Sequence, residues 1–291
     1  MFLLIVVSNF GYLYPLRKMN EFRQKYYPTI LQAIHLLILY IFVQSVVDFP
    51  LALIDYYKDT EYLYNPIKKI ILGVGSTLFI LIYGFKKSNA SLFEVFPVKF
   101  FNPLIILPVI TFLWAAHNLL VIPGAFLDKY LPAPDWFWEM FDKIFEGDFG
   151  WWGAFMKVAV VAPIVEELIF RGLILQGFRR NYKAFTAVVM SALLFALFHL
   201  NPWQFPATFL LGLLLGWIML RTNNILLAIL GHSINNFLVL LSITFAKEIH
   251  AHPIYLMGKE KLYLVSALIV LLSLLLIFAF SRKWFKKKMV V

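Results

Sequence analysis

The stretch VEELIFRG, residues 165–172, places two adjacent carboxylates and an arginine inside an almost unbroken apolar run, Trp151–Phe178. A charged side chain near the centre of a bilayer costs about 2.5–3.5 kcal/mol on insertion scales. Glu166, Glu167 and Arg171 would make this segment a poor membrane span unless groups inside the folded protein satisfied them. We therefore expect the fold to be organised around these three side chains.

The composition is that of a polytopic membrane protein. Of 291 residues, 62% are hydrophobic and 14% charged, whereas soluble domains carry about 25% charged residues; mean hydropathy is +0.79. The absence of cysteine excludes disulfides, thiolate chemistry and cysteine-ligated metal sites. The net charge of +10 comes from basic residues clustered in short loops. This distribution is typical of loops facing anionic lipid, so the lipid bilayer is the expected partner and nucleic acid is not.

Eight apolar segments are long enough, or nearly so, to cross a bilayer core of about 30 Å. The segments are 29–50, 68–85, 103–125, 152–178, 184–200, 205–221, 224–246 and 262–281. The sequence thus predicts an all-α, polytopic bundle of about eight transmembrane helices.

Lysine and arginine asymmetry gives the orientation of the bundle. The strongest basic cluster is the tail 282–288, which we place in the cytoplasm, and eight spans then put the basic N-terminal loop there too. The prediction is N-in and C-in. The apolar segment 1–13 is too short to span, which favours an interfacial or re-entrant position; if it crosses, the count becomes nine and the N-terminus moves outside. The outer loop also holds WFWEMF, residues 136–141, a candidate amphipathic interfacial helix.

Polar side chains in other apolar segments are the candidates for satisfying the central charges. His199 ends the fifth segment, and His232 and Asn236 lie four residues apart on the seventh, hence on one helical face. Glu167 and Arg171 are also four apart and can pair along their helix. Glu166 lies about 100° round the helix from Glu167, so it can point into a cavity instead.

This set supplies the groups needed to hydrolyse an amide without a serine or cysteine nucleophile. Glu166 is a candidate general base or acid, and His199 could share a water molecule with it. His232 and Asn236 offer donors to a developing oxyanion.

Structural roles compete with these assignments. A buried Glu–Arg pair can lock two helices together, and a single histidine or asparagine in a span is often a packing group. The occurrence of all of them on three different spans favours a site. Asp48, beside Pro50 near the end of the first span, is better explained by an interfacial position. Gly212 and Gly216 form a GxxxG pattern that indicates close helix packing.

The sequence resembles the CAAX prenyl protease and bacteriocin-processing family (CPBP, also called Abi), which includes the type II CAAX prenyl endopeptidases. Its three signatures, EExxxR, FxxxH and HxxxN or HxxxD, occur here in order as residues 166–171, 195–199 and 232–236. The resemblance covers roughly residues 150–240. It divides the chain into an N-terminal segment and basic loop (1–28), three helices and an acidic outer loop (29–150), a catalytic helical core (151–246), and the last helix with its tail (247–291).

The resemblance implies an intramembrane glutamate-dependent endopeptidase built as an eight-helix bundle. By analogy, Glu166 activates water with help from His199, His232 and Asn236 stabilise the oxyanion, and Glu167 and Arg171 hold the constellation. It implies no obligatory cofactor. Zinc remains an alternative, with Glu166, His199 and His232 as its ligands.

The substrate implied by the resemblance is a membrane-associated peptide or lipidated protein cut near its C-terminus or leader. The amino-acid usage and short loops favour a protein of the bacterial cytoplasmic membrane. Two alternatives remain: a non-proteolytic immunity or scaffold protein of the same family, and a small-molecule transporter using Glu166 as a proton carrier.

The predicted orientation raises a problem of depth. His199 falls near the outer end of span five, whereas His232 lies about eight residues from the inner end of span seven. A shared site then requires span five to extend past Pro202, to tilt, or to be short.

Overall fold

The structure, a computed structural model, describes residues 26–60, 62, 65–139 and 150–286. The predicted interfacial segment 1–13, the last two residues of the stretch 136–141 and the tail beyond 286 lie outside the described residues. Residues 135–139 are helical.

Helices make up nearly all of the described chain. They are α1 (Ile30–Lys58), α2 (Pro66–Ser88), α3 (Leu92–Val95), α4 (Ile106–Tyr130, preceded by the 3-10 turn Pro103–Ile105), α5 (residues 150–181), α6 (Ala184–Phe198), α7 (Phe205–Thr222), α8 (Ile225–Thr244), α9 (Ala246–Ala251), α10 (Pro253–Leu256) and α11 (Lys259–Lys286). Pairing between extended segments in these residues is limited to an isolated bridge between Val98 and Asn224.

Six of the described helices are long and apolar enough to cross a membrane: α1, α2, α4, α7, α8 and α11. The predicted all-α membrane bundle is confirmed. The two other predicted spans correspond to α5, which changes helical register along its length, and to the short α6. The count of eight and the N-in, C-in orientation stay predictions.

Helix α5 is the centre of the bundle. Every residue from Ile169 to Phe178 is buried, and α5 packs against α2, α6 and α8. Around it, α1 pairs with α2, α4 with α11, and α6 with α7. The stretch 169–178, which includes Arg171, therefore lies in the interior of the bundle.

The C-terminal end of α5 is fastened by polar contacts. Arg180 forms an ion pair with Glu94 of α3 at 2.8 Å, and Arg179 donates to the side chain of Asn223 at 2.9 Å. Hydrogen bonds from the backbone and side chain of Ser91, with the charge of Arg180, hold the pKa of Glu94 below its usual value. These contacts hold the C-terminal end of α5 against α3 and against the turn between α7 and α8.

The short α6 explains how His199 and His232 can share one depth. Helix α6 has 15 residues and ends at Phe198, so it is only about 22 Å long. This is less than the hydrocarbon core of about 30 Å. Span five therefore does not extend past Pro202, and the rings of His199, at the C-cap of α6, and of His232 both contact Phe195.

Glycine lets α6 and α7 approach closely. A Cβ atom built on Gly212 would lie 2.9 Å from both Cα and Cβ of Ala192, and one on Gly216 would lie 3.1 Å from Val188. The predicted packing role of the GxxxG pattern is confirmed.

We expect Gly212→Ala to lower the free energy of unfolding by about 1–3 kcal/mol, since the added methyl group meets the backbone of α6. Gly75→Ala in α2 is the matched control, because no heavy atom lies within 4 Å of its added Cβ. It should be neutral or slightly stabilising through helix propensity. Unfolding of both variants in one detergent, followed by circular dichroism, makes the comparison; equal stabilities would contradict the close approach.

Candidate active site

The central carboxylate of the site belongs to Glu167. Its side chain is fully buried, and its Oε1 accepts a hydrogen bond of 2.7 Å from Nη1 of Arg171. The predicted Glu167–Arg171 pair is confirmed. Arg171 is also fully buried, and its Nη2 lies 3.4 Å from the carbonyl oxygen of Gly212 on α7. The pair therefore joins α5 to a neighbouring helix as well as neutralising charge within α5.

His232 lies between the two adjacent carboxylates. Its Nδ1 is 2.9 Å from Oε1 of Glu167, and its Nε2 is 3.9 Å from Oε2 of Glu166. An ionised carboxylate can only accept hydrogen bonds, so Nδ1 carries the proton and donates it to Glu167. This contact fixes the ring with Nε2 facing Glu166. The 3.9 Å gap exceeds hydrogen-bond length, although catalytic contacts are often long before substrate binds.

Phe195 connects the three motifs. The guanidinium of Arg171 lies over its ring, 4.5 Å from the centroid. The rings of His199 and His232 meet the same ring edge to face, at centroid distances of 4.9 Å and 5.6 Å. The phenylalanine of FxxxH thus packs against a residue from each motif and sets the spacing of their polar groups.

A change of helical register in α5 explains the position of Asn236. Residues Phe155–Val161 and Leu168–Ile174 are π-helical, on either side of Glu166 and Glu167. The N–H of Ala162 bonds to the carbonyl of Lys157, five residues back. The next bond in that register would join Pro163 to Val158, and proline has no N–H.

Asn236 supplies the missing donor. Its Nδ2 donates to the carbonyl oxygen of Val158 at 2.9 Å, and its Oδ1 accepts from Asn235 at 3.1 Å. One of its two amide hydrogens is therefore engaged in holding α8 against α5. Because His232 lies one turn earlier on α8, the same contact places His232 beside Glu167.

His199, at the end of α6, is connected to the site through Phe195. Its Nδ1 lies 2.9 Å from the carbonyl oxygen of Phe195, and since a carbonyl can only accept, Nδ1 is the donor. In the neutral ring Nε2 is then left as a hydrogen-bond acceptor. The side chain is half-buried.

Glu166 reaches a cavity of about 220 Å³ between α1, α2 and α5. Its side chain is 22% exposed, while its buried Oε2 has no hydrogen-bond partner among the described residues. Of the four residues predicted to be catalytic, Glu166 alone lines this cavity. His232 lies behind Glu166, so the carboxylate is placed between the cavity and the polar network.

The zinc alternative stays a prediction, and the described residues offer no preassembled cluster for it. Glu166, His199 and His232 were its candidate ligands, but no group of three or more metal-ligating side chains occurs in the described part of the chain. In addition, Nδ1 of His232 is bonded to Glu167 and Nδ1 of His199 to a backbone carbonyl.

Two charged residues of the cavity wall were missed by the sequence analysis. Asp48 was interpreted as interfacial, but α1 continues to Lys58 and Asp48 lines the cavity that Glu166 lines. Lys157 lies nine residues before Glu166 in the same apolar run and also lines it. Charge inside an apolar segment was the signal available for both.

A larger cavity of about 440 Å³ lies between α4, α7, α8 and α11. Its wall is apolar apart from His117 and Asn235, and none of the described residues lining it carries a carboxylate. Its walls therefore lack the carboxylate that a glutamate-dependent hydrolysis requires.

Comparisons with known proteins identify the central region. Residues 148–238 match the family model of Rce1-like type II CAAX prenyl endopeptidases, which spans all three motifs and α5 to α8. No curated protein and no solved structure gives a significant match. The resemblance drawn from the motifs is confirmed: the region 148–238, which contains the Glu167–Arg171–His232 network, is similar to the Rce1-like type II CAAX prenyl endopeptidases.

Proposed function

We propose that this membrane protein is an intramembrane endopeptidase that hydrolyses a peptide bond near the C-terminus or leader of a membrane-associated peptide or lipidated protein. One observation carries the proposal: the Glu166 carboxylate lines a cavity while Nε2 of His232 faces it from behind at 3.9 Å. This is the arrangement expected of a carboxylate that takes and returns a proton.

In the proposed reaction, a water molecule in the cavity gives a proton to Glu166 as its oxygen attacks the scissile carbonyl carbon. The carbonyl oxygen becomes an oxyanion. When the tetrahedral intermediate collapses, the carbon–nitrogen bond breaks, and Glu166 returns the proton to the departing amine. The products are a new carboxylate and a new amine.

The other predicted site residues take supporting positions in this reaction. Nε2 of His199 can accept a hydrogen bond from the attacking water. The second amide hydrogen of Asn236 is a candidate donor to the oxyanion, and His232 becomes one in its imidazolium form, in which Nε2 also carries a hydrogen. No cofactor is needed for these steps.

The proposal also covers topology and location. We infer eight transmembrane helices with both termini in the cytoplasm, from the lysine and arginine asymmetry, and residence in the bacterial cytoplasmic membrane. The similarity to type II CAAX prenyl endopeptidases makes a prenylated peptide ending in the CAAX motif the first substrate to test.

Glu166→Gln should reduce cleavage of a farnesylated CAAX peptide by about a thousandfold, because general bases contribute about 10²–10⁴-fold. Its thermal unfolding should stay close to wild type, since Oε2 of Glu166 makes no hydrogen bond with the described residues. Product release is measured by mass spectrometry with purified protein in detergent.

Glu248→Gln, which changes an exposed carboxylate on α9, is the control and should cleave normally. Addition of a metal chelator to the wild-type assay should leave the rate unchanged. Cleavage that survives Glu166→Gln would refute the role of this carboxylate, and cleavage abolished by the chelator would refute the metal-free reaction.

His232→Ala should both slow cleavage and destabilise the fold. Glu167 would lose a buried hydrogen bond, which costs about 1–3 kcal/mol, and the face of Glu166 opposite the cavity would lose its polar neighbour. Activity per folded molecule should fall at least about a hundredfold. The matched control is His252→Ala on an exposed residue; comparable activity in the two variants would count against the assignment.

A further inference from the structure

The cavity is elongated along one face of α5. Its lining residues on this helix are Lys157, Val161, Ala162, Val165 and Glu166. Their spacing of four, one, three and one residues is that of a single helical stripe. The cavity therefore extends from Glu166 to Lys157, which are nine residues apart.

Helix α1 forms the facing wall with Tyr40, Gln44 and Asp48, again one stripe. Tyr40 lies at the Glu166 end, because it stacks on Phe198 at a centroid distance of 5.3 Å. Phe198 in turn packs on Phe170, one turn beyond Glu166, at 5.6 Å. Asp48 lies two turns from Tyr40 and so belongs to the opposite end, with Lys157.

The two ends of the cavity thus differ in chemistry. One holds the carboxylate proposed to activate water, and the other is lined by Lys157 and Asp48. Ionisable side chains within membrane helices are costly and commonly mark a substrate path. Both Asp48 and Lys157 already interact within the fold, so an incoming carboxylate would exchange for an existing contact of Lys157.

The length between the ends matches a short peptide. Nine residues of helix span at most about 13.5 Å, and slightly less where the register is π-helical. Three residues of extended peptide span about 10–11 Å. The side chains of Lys157 and Glu166 are long enough to make up the difference between the length of the helix segment and that of the peptide.

We propose that Lys157 binds the free C-terminal carboxylate of the substrate, three residues beyond the bond that is cleaved. This inference rests on the proposed peptidase function and adds a residue that selects the substrate. The enzyme would then recognise the C-terminus of its substrate, because the charge of the terminal carboxylate positions the scissile bond at Glu166. A neutral terminus loses a charge-assisted hydrogen bond.

The test compares two farnesylated CAAX peptides that differ only in a C-terminal acid or amide, with full-length protein in detergent. For wild type, we expect the KM of the acid to be about tenfold below that of the amide, because a hydrogen bond to a charged group is worth that much or more. Lys157→Met should raise the KM of the acid to that of the amide and leave the amide unaffected. Lys157→Arg should retain the preference, and Asp48→Asn should not raise the KM of the acid.

The outcomes separate the two proposals. Equal KM values for acid and amide in wild type, or a preference that survives in folded Lys157→Met, overturn the role of Lys157 while the peptidase stands. The wild-type comparison decides this even where a variant fails to fold. Cleavage of neither peptide, or cleavage that persists in Glu166→Gln, overturns the peptidase itself and this inference with it.

Discussion

The carboxylate of Glu167 is the group on which the rest of the structure depends. It is fully buried, and one of its oxygens lies 2.7 Å from Arg171 and 2.9 Å from His232. Removing a buried charge's partner leaves an uncompensated ion, which is far more costly than the pair itself. The network therefore fixes α5 against α8 directly, and against α7 through the contact of Arg171 with Gly212.

This network also gives two adjacent glutamates, Glu166 and Glu167, different surroundings. Glu167 accepts hydrogen bonds from Arg171 and His232. Because an α-helix rotates by about 100° per residue, Glu166 points instead to the cavity. The apolar ring of Phe195 fills the space between the cationic and imidazole groups. This set of contacts thereby holds the Glu166 carboxylate at the edge of a cavity between α1, α2 and α5.

Sequence patterns predicted the features that depend on spacing along one helix. The apolar runs, the Glu167–Arg171 pair and the different direction of Glu166 all follow from helical geometry. Features that arise between helices could not be predicted in this way. The bond from Asn236 to Val158 requires a π register that only the folded α5 reveals, and the place of Asp48 in the cavity wall depends on how α1 packs.

The most direct measurement is a double-mutant cycle on the free energy of unfolding in mixed micelles, with Glu167→Gln, Arg171→Met and both changes together. If the buried network organises the fold, each single change should cost about 3–5 kcal/mol because it leaves a charged partner unpaired. The double variant should then cost about 1–3 kcal/mol less than the sum of the two. If the cost of the double variant equals the sum of the two single costs to within about 0.5 kcal/mol, Glu167 and Arg171 are not coupled. That result would contradict the claim that the buried network organises the fold.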